Sequence, residues 1–497
     1  MRRLRQFYQV FFLVLFVALT VVTAQGLLQG YPVTLFLDSS AFAGLAALLS
    51  SWNVAHTMWI GFLVLALTFI LGRFYCGWIC PLGTLFHFTS WLLRPRSAAR
   101  RVKQNAYVRA QTYKYVLMTV LLVCAALGAL QIGLLDPMVL LTRTAAVFFA
   151  PAVDAGAGIL VSAEADRTFP TGPLIVAMFA GLLLLNAYRF RFWCRYVCPL
   201  GALLGLAGKF SLGAVRRDTA SCTGCGLCAA DCPAACSPDT KTRTAECYAC
   251  WNCIDECPEG SLSWRWFPER EAVNVATDVS RRQFVGGLIG GISGVFALRT
   301  AGVTGRTGYP KRIRPPGSLA EEDFLGRCLK CGACMKVCPT NVLQPAWDEA
   351  GFEGFWSPVM NMRKGYCEVN CTLCGQVCPS GAIERMTIAQ KTGHGGETPV
   401  KVGTAFVDRN RCLPWSFDRK CLVCQEVCPV SPKAIVTLQD QQSSDEVPPR
   451  PARPQVDPER CIGCGICEHE CPVHDLAAIR VTAAGESREP GGSFYLS

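Results

Sequence analysis

"CTGCGLCAADCP", residues 222–233, is followed by "CYACWNCIDECP", residues 247–258, and the two stretches share one spacing, C-x-x-C-x-x-C-x-x-x-C-P. Three closely spaced thiolates can hold one cubane iron–sulfur cluster, while the distant cysteine of each stretch completes the other cluster. The spacing therefore predicts one [4Fe-4S] cluster on Cys222, Cys225, Cys228 and Cys257, and a second on Cys247, Cys250, Cys253 and Cys232. The Pro after the last cysteine turns the chain away, and small residues between ligands let backbone N–H groups approach the sulfides. Structural zinc is a poor match to such a duplicated pattern. Cys236 is left over and receives no role.

Four more sets follow. Cys328, Cys331, Cys334 and Cys338 repeat the spacing, as do Cys461, Cys464, Cys467 and Cys471. The inner two are modified: Cys367, Cys371, Cys374 and Cys378 gain a residue after the first ligand, and Cys412 stands well before Cys421, Cys424 and Cys428. Sixteen ligands make four cubanes, so the chain is expected to carry about six [4Fe-4S] clusters. Because the inner sets share irregular first loops, a nested arrangement is expected, with the inner pair inserted into the outer; sequential pairing is the alternative. Short apolar stretches such as "GTAFVD" (403–408) and "AAIRV" (477–481) read as strands flanking the clusters.

The remaining composition points to a membrane. Of 497 residues 51% are hydrophobic and only 17% charged, too apolar for an ordinary soluble chain. The 30 cysteines fall in short clusters, which argues for metal ligation over a disulfide framework. A net charge of +11 does not indicate nucleic acid, because Lys and Arg sit beside apolar runs rather than in a basic stripe. Four nearly uncharged stretches approach the ~20 residues that cross a bilayer: Phe7 to Leu28, Val54 to Gly72, Tyr115 to Leu135 and Phe169 to Tyr188. Basic flanks at Arg2, Arg3 and Arg5, from Arg94 to Lys114, and at Arg189, Arg191 and Arg195 place one side in the cytoplasm. The outward connection after Asp136 is apolar but broken by Arg143, Pro151 and Asp154, so an interfacial or re-entrant segment is expected there.

This half repeats itself. "RFYCGWICPLGTL" from Arg73 and "RFWCRYVCPLGAL" from Arg191 each close an outward and inward crossing. Two hairpins related by an axis along the membrane normal bring Cys76, Cys80, Cys194 and Cys198 together, as ligands of a metal, as redox-active dithiols, or merely as buried turn residues. Cys124 reads as a small apolar packing residue. Haem is not expected: no C-x-x-C-H occurs, and His56 and His87 fall at opposite faces. Asp38 and Asp136, near outer helix ends, are weak candidates for accepting quinol protons; each is at least as readable as a turn or cap residue.

"SRRQFVGGLIGGISGVFAL", residues 280–298, has the form of a twin-arginine signal. A signal for folded cargo makes sense before clusters that are loaded in the cytoplasm. An ordinary fifth helix anchored by Arg281 and Arg282 gives the same topology, and no clear cleavage site follows.

On these motifs, residues 1 to about 265 resemble the NapH/MauN membrane ferredoxins, whose wider relatives include NosR and CcoG proteins, and the part from Ser280 onward resembles the NapG/MauM periplasmic ferredoxins. The resemblance implies a natural fusion: a helical membrane domain (1–215) with four spanning helices, a cytoplasmic two-cluster ferredoxin domain (216–265), a fifth, signal-anchor helix (280–300), a periplasmic four-cluster α+β ferredoxin domain (318–485) and a tail (486–497). It implies a multi-pass protein of the bacterial inner membrane that oxidises quinol and passes electrons to a periplasmic redox enzyme of nitrate-reductase or amine-dehydrogenase type. The CcoG resemblance implies the competing activity, a reductase that keeps metals or thiols reduced while another enzyme matures.

Overall fold

An unbroken apolar run makes the first helix, Arg2–Ala24. In the computed structural model, which describes residues 1–24, 34–52, 58–149, 151–152, 168–170, 172–240, 242–267, 279–301, 312–347, 349–438 and 451–488, this is the one helix long and apolar enough to cross a membrane by itself, as Arg2–Thr23. The other expected spans are shorter apolar helices, Trp59–Leu71, Tyr113–Ala126 and Gly172–Leu184. Residues 25–28 of the first expected span, 54–57 of the second and 171 within the fourth lie outside the described residues. The third was expected to reach Leu135. It stops at Ala126 because Gly128 adopts φ 82° and turns the chain, a conformation open mainly to glycine.

The connections expected to face outward are structured where they are described. Ala41–Ser51 is a helix whose Ser40 side chain accepts the Ala43 N–H at 3.3 Å, and Pro137–Thr144 is a short buried helix. The second bears on the expected re-entrant segment, of which 153–160, with Asp154, lies outside the described residues.

Residues 281–298 form part of a helix, Arg281–Ala301. Its glycines let it lie close to Tyr113–Ala126: a Cβ on Gly291 would stand 2.6 Å from Val123 Cβ, and one on Gly287 3.2 Å from Thr119 Cβ. Cys124 Sγ donates to Gly291 O at 3.6 Å in that seam, the packing role its setting suggested. The opposite face leaves Val285, Ile289, Ile292 and Phe296 exposed.

The chain divides into two units, one of Met1–Thr23, Tyr31–Phe149 and Thr171–Ala297, the other holding Leu298–Ser497 with Ala24–Gly30 and Ala150–Pro170. In the first, β1 (Gly213–Arg217) and β2 (Leu262–Trp266) pair antiparallel, Gly213 opposite Trp266, and flank the segment from Cys222 to Cys257. In the second, β3 (Leu343–Pro345) pairs with β4 (Pro358–Met360), and the bridge Ser318↔Ile383 closes that stretch. Farther on, β5 (Thr404–Val407) pairs with β8 (Ile479–Thr482) around an inner pair of β6 (Ile435–Leu438) and β7 (Arg453–Val456). Each half of this unit thus closes on itself, an outer pairing around an inner one. The nested insertion expected from the irregular loops is overturned: consecutive cysteine sets share a ferredoxin-like unit. The irregular loops had suggested kinship between the inner sets, whereas strand pairing is set by which ends of the chain meet.

Candidate iron–sulfur sites and a thiol chamber

Both Cys-x-x-x-Cys-Pro motifs start helices, Pro81–Leu92 and Pro199–Gly208, with proline where no N–H is needed. Cys80 and Cys198 are the caps, their Sγ atoms accepting the N–H of Gly83 and Gly201 at 3.2 Å. Burial, then the nearby Cys194 and Cys76, push both thiols well up. Burial also lifts Cys194 to about 11 against the opposing charge of Arg191. The four thiols of the repeat therefore lie near one another around a thiol chamber, Cys80, Cys194 and Cys198 buried and Cys76 partly so.

The repeat exchanges its arginines. Arg191, three residues before Cys194, donates to Cys76 O and Gly83 O of the first motif, each at 3.0 Å. Arg73, three residues before Cys76, lies on the second motif, its Nη2 2.8 Å from where a Cβ on Gly201 would stand. The Tyr248 ring sits between, 4.9 Å from Arg73 Cζ and 5.0 Å from Arg191 Cζ.

Tyr248 follows Cys247, so the chamber adjoins a cluster-type set. Trp78 Nε1 donates to Ala249 O at 2.9 Å, and its ring stands 5.1 Å from that of Trp251. Arg73 donates to Glu246 Oε2 at 3.2 Å, and Glu246 also accepts from Lys114 and, at 3.0 Å, from the Tyr115 hydroxyl. Burial alone would raise the Glu246 carboxyl; Lys114 and Arg73 outweigh it and hold it below the usual range. Ala249 and Trp251 take φ of 46° and 55°, where the sister set has Gly224 and Gly226. Left-handed backbone costs a side-chain-bearing residue roughly 1–2 kcal/mol, which the Trp78 contacts offset.

The thiols of the two sets stand near one another. Cys253 is raised by burial and then by Cys250, Cys247 and Cys232, the crossed fourth cysteine. Cys228 and Cys257 both pack on the core of Val215, Leu262 and Cys253. Cys236, given no role from the sequence, joins the crossed group: its Sγ lies 3.3 Å from Cys232 Sγ, and its N–H donates to that sulfur at 3.4 Å. Its spacing after Cys232 fits no ligand pattern; the reversal at Ala235 and Ser237, with φ of 54° and 51°, brings it there.

In the second unit, Cys334 is raised by burial and next by Cys331, Cys328 and Cys378. Cys374 is raised by burial, then by Cys367, Cys338 and Cys371. Burial takes Cys424 to about 12, with Cys412, Cys421 and Cys471 beside it, and Cys464 to about 12, with Cys461, Cys367 and Cys428. Thiols of consecutive sets thus stand near one another, as an exchange of fourth ligands between them would require. The two halves meet where Cys367 N–H donates to Cys464 O at 2.8 Å.

Asp136 caps Pro137–Thr144, accepting Met138 N–H at 2.9 Å and Val139 N–H at 3.1 Å, and accepts the Ser40 hydroxyl at 2.6 Å. Asp38 accepts the Thr34 hydroxyl at 2.8 Å. Among the described residues no three His, Cys, Asp or Glu side chains converge as a single metal ion requires. The four-thiol sets with this spacing are donor sets suited to [4Fe-4S] clusters.

Known families agree with this chemistry. A 4Fe-4S binding domain matches residues 55–99 and 171–217, a 4Fe-4S dicluster domain residues 327–382, and a 4Fe-4S binding domain residues 454–475. The dicluster match spans both Cys328–Cys338 and Cys367–Cys378, the pairing the strands enclose. Fold and cysteine sets together define an iron–sulfur electron-transfer protein of ferredoxin type. The methylamine utilization ferredoxin-type protein MauM of Methylorubrum extorquens is 36% identical over 190 residues, 37% of this chain and 80% of that protein. The ferredoxin-type protein NapG of Escherichia coli is 30% identical over 219 residues, 43% of this chain and 90% of that protein. The chain belongs to this MauM/NapG family of ferredoxin-type proteins. MauN of Paracoccus denitrificans, 30% identical over 198 residues, covers 39% of this chain and 58% of its own length.

Proposed function

We propose that the chain joins a MauN/NapH-type membrane part to a MauM/NapG-type ferredoxin part, oxidises quinol in the inner membrane, and passes electrons singly through about six [4Fe-4S] clusters to a periplasmic redox enzyme. Each cluster supplies one-electron storage, and the crossed cysteine sets hold clusters in adjacent pairs. The observation that carries a conducting role is the contact of Cys367 N–H with Cys464 O at 2.8 Å, which joins two two-cluster units into one run of four sets. Quinol oxidation releases two electrons and two protons. Asp38 and Asp136 are engaged as turn and cap groups, so the quinol reading leans instead on an apolar groove of about 740 Å³ lined by Tyr8, Phe12, Trp78, Trp251 and Trp266. It opens beside Ala249, between Cys247 and Cys250.

A menaquinol analogue added to the detergent-solubilised protein should bleach cluster absorbance, and should fail when Trp251→Glu fills the groove with charge. No reduction of any cluster would favour the maturation-reductase reading, for which the buried thiol chamber beside a cluster set is the supporting feature.

A further inference from the structure

The first helix opens with its apolar side chains exposed, and the residues it buries there are polar: Arg5 and Gln9, 1% and 3% exposed. Standing four apart, they share one face. Gln9 Nε2 donates to Gly77 O at 2.7 Å, inside the first Cys-x-x-x-Cys-Pro motif. Three residues before Arg5, the Arg2 N–H donates to Asp255 Oδ2 at 2.9 Å and its Nη1 to Glu256 Oε1 at 2.7 Å, at the end of the short helix Asn252–Asp255 that carries Cys253. Between these two anchors the Arg5 side chain reaches the thiol of Cys250.

An arginine serving only as an inside-facing flank keeps its guanidinium in water or among headgroups. Arg5 does not. Its Nε and Nη2 are buried and have no hydrogen-bond partner among the described residues, and after Cys250 the next charges acting on it, Arg191 and Arg2, are of like sign. A buried cation without an anion is costly, so the placement calls for negative charge at Cys250.

We propose that Arg5 donates to the sulfur of Cys250 and thereby raises the reduction potential of the [4Fe-4S] centre assigned to Cys247, Cys250, Cys253 and Cys232. On accepting one electron that centre gains one negative charge, and no bond forms or breaks. A guanidinium, charged at every working pH, stabilises the added charge from a ligand sulfur, and does so most where water is excluded. The same helix lines the apolar groove with Tyr8 and Phe12, opposite Ala249 and Trp251 of the cluster segment. The centre that Arg5 favours for uptake is therefore the one beside the groove. The inference rests on the iron–sulfur and quinol readings above and adds to them the centre at which electrons enter.

The test is a redox titration of the full chain in detergent, kept anaerobic and followed by EPR at the signal that Cys253→Ala removes. Arg5→Gln should keep the wild-type iron content and make reduction of that centre on the order of tenfold less favourable, about 59 mV for one electron. Arg5→Lys, which keeps the charge, should recover most of the shift, and Gln9→Leu, which loosens the helix alone, should leave the potential where it was. An unmoved potential in Arg5→Gln, or an equal shift in Gln9→Leu, overturns the proposal. If Arg5→Gln sheds the centre, wild-type protein grown on 15N-arginine decides: a nitrogen coupling at that signal, absent from Arg5→Lys, supports the contact, and no coupling overturns it. Failure of the cluster reading is separable: Cys253→Ala without iron loss removes the centre itself and the proposal with it, whereas iron loss there with an unmoved potential in Arg5→Gln overturns the role of Arg5 alone.

Discussion

Arg73 and Arg191 face each other across the Tyr248 ring, 4.9 and 5.0 Å from its centroid, each arginine starting one motif and serving the other. Arg191 holds two carbonyls of the first motif in one guanidinium fork, a geometry a lysine cannot reproduce. Removing Arg73 leaves the buried Glu246 with Lys114 as its ionic partner. Breaking a buried pair typically costs about 3–5 kcal/mol. Arg73→Met should lower the thermal midpoint sharply, and Arg73→Met with Glu246→Gln should recover part of the loss. Additive effects in the four-protein cycle would refute the coupling.

Cys236 changes what a single ligand deletion should do. With its sulfur 3.3 Å from that of Cys232, Cys232→Ala should retain a cluster on Cys247, Cys250 and Cys253 with an altered EPR signal. Cys232→Ala with Cys236→Ala should lose about four irons. Equal iron loss in the single and double variants would mean that Cys236 does not substitute.

Sequential pairing predicts which partner suffers in the second unit. Cys378→Ala should damage the cluster of Cys328, Cys331 and Cys334, and Cys471→Ala that of Cys412, Cys421 and Cys424. Nested pairing would instead couple Cys378 to the Cys412 set, so a Cys378→Ala spectrum missing that cluster would reject the arrangement.

Glu321 offers a pH test in the same unit. It accepts from Arg314 Nη2 and Arg488 Nη1, each at 2.7 Å. Burial opposes its charge, but Arg314, Arg312 and Arg488 win and hold its carboxyl down to about 2. Because the folded value lies below the unfolded one, the stabilisation is present above about pH 4.5 and fades as pH falls toward 2, about 3 kcal/mol in all. The gap in thermal midpoint between wild type and Glu321→Gln should shrink from pH 6 to pH 3. A constant gap would assign the loss to packing.

The cysteine sets were legible because cubane ligation imposes spacing on neighbouring residues, and the nearness of Cys232 to Cys253 agrees with the crossing that rule expects. The convergence of the Cys-x-x-x-Cys-Pro motifs was legible from repetition. What stayed hidden depends on backbone reversals and distant partners. Cys236 is placed by left-handed residues at Ala235 and Ser237, neither of them a glycine. Tyr248 between two arginines joins segments more than fifty residues apart, with no local pattern to announce it. The early end of the third helix turned on Gly128 alone, inside an otherwise apolar run.

In the proposed reading, topology turns on whether the helix Arg281–Ala301, less apolar than Arg2–Thr23, also crosses the membrane. Its 21 residues span about 31 Å at 1.5 Å per residue, close to the ~30 Å hydrocarbon layer. One side packs by glycine on Tyr113–Ala126, while Ile289, Ile292 and Phe296 face outward, 58–72% exposed, as suits lipid. If it crosses outward, the sets at Cys222–Cys257 lie in the cytoplasm and those from Cys328 onward in the periplasm. Protease outside spheroplasts should then remove the region after Arg299 and spare Cys222 to Cys257. Arg281→Lys with Arg282→Lys should keep the C-terminal part inside if the pair is read as a twin-arginine address, and should leave it outside if the arginines are plain anchors, since lysine preserves their charge. Protection of both regions from external protease would reject the split topology and leave every cluster on the cytoplasmic face.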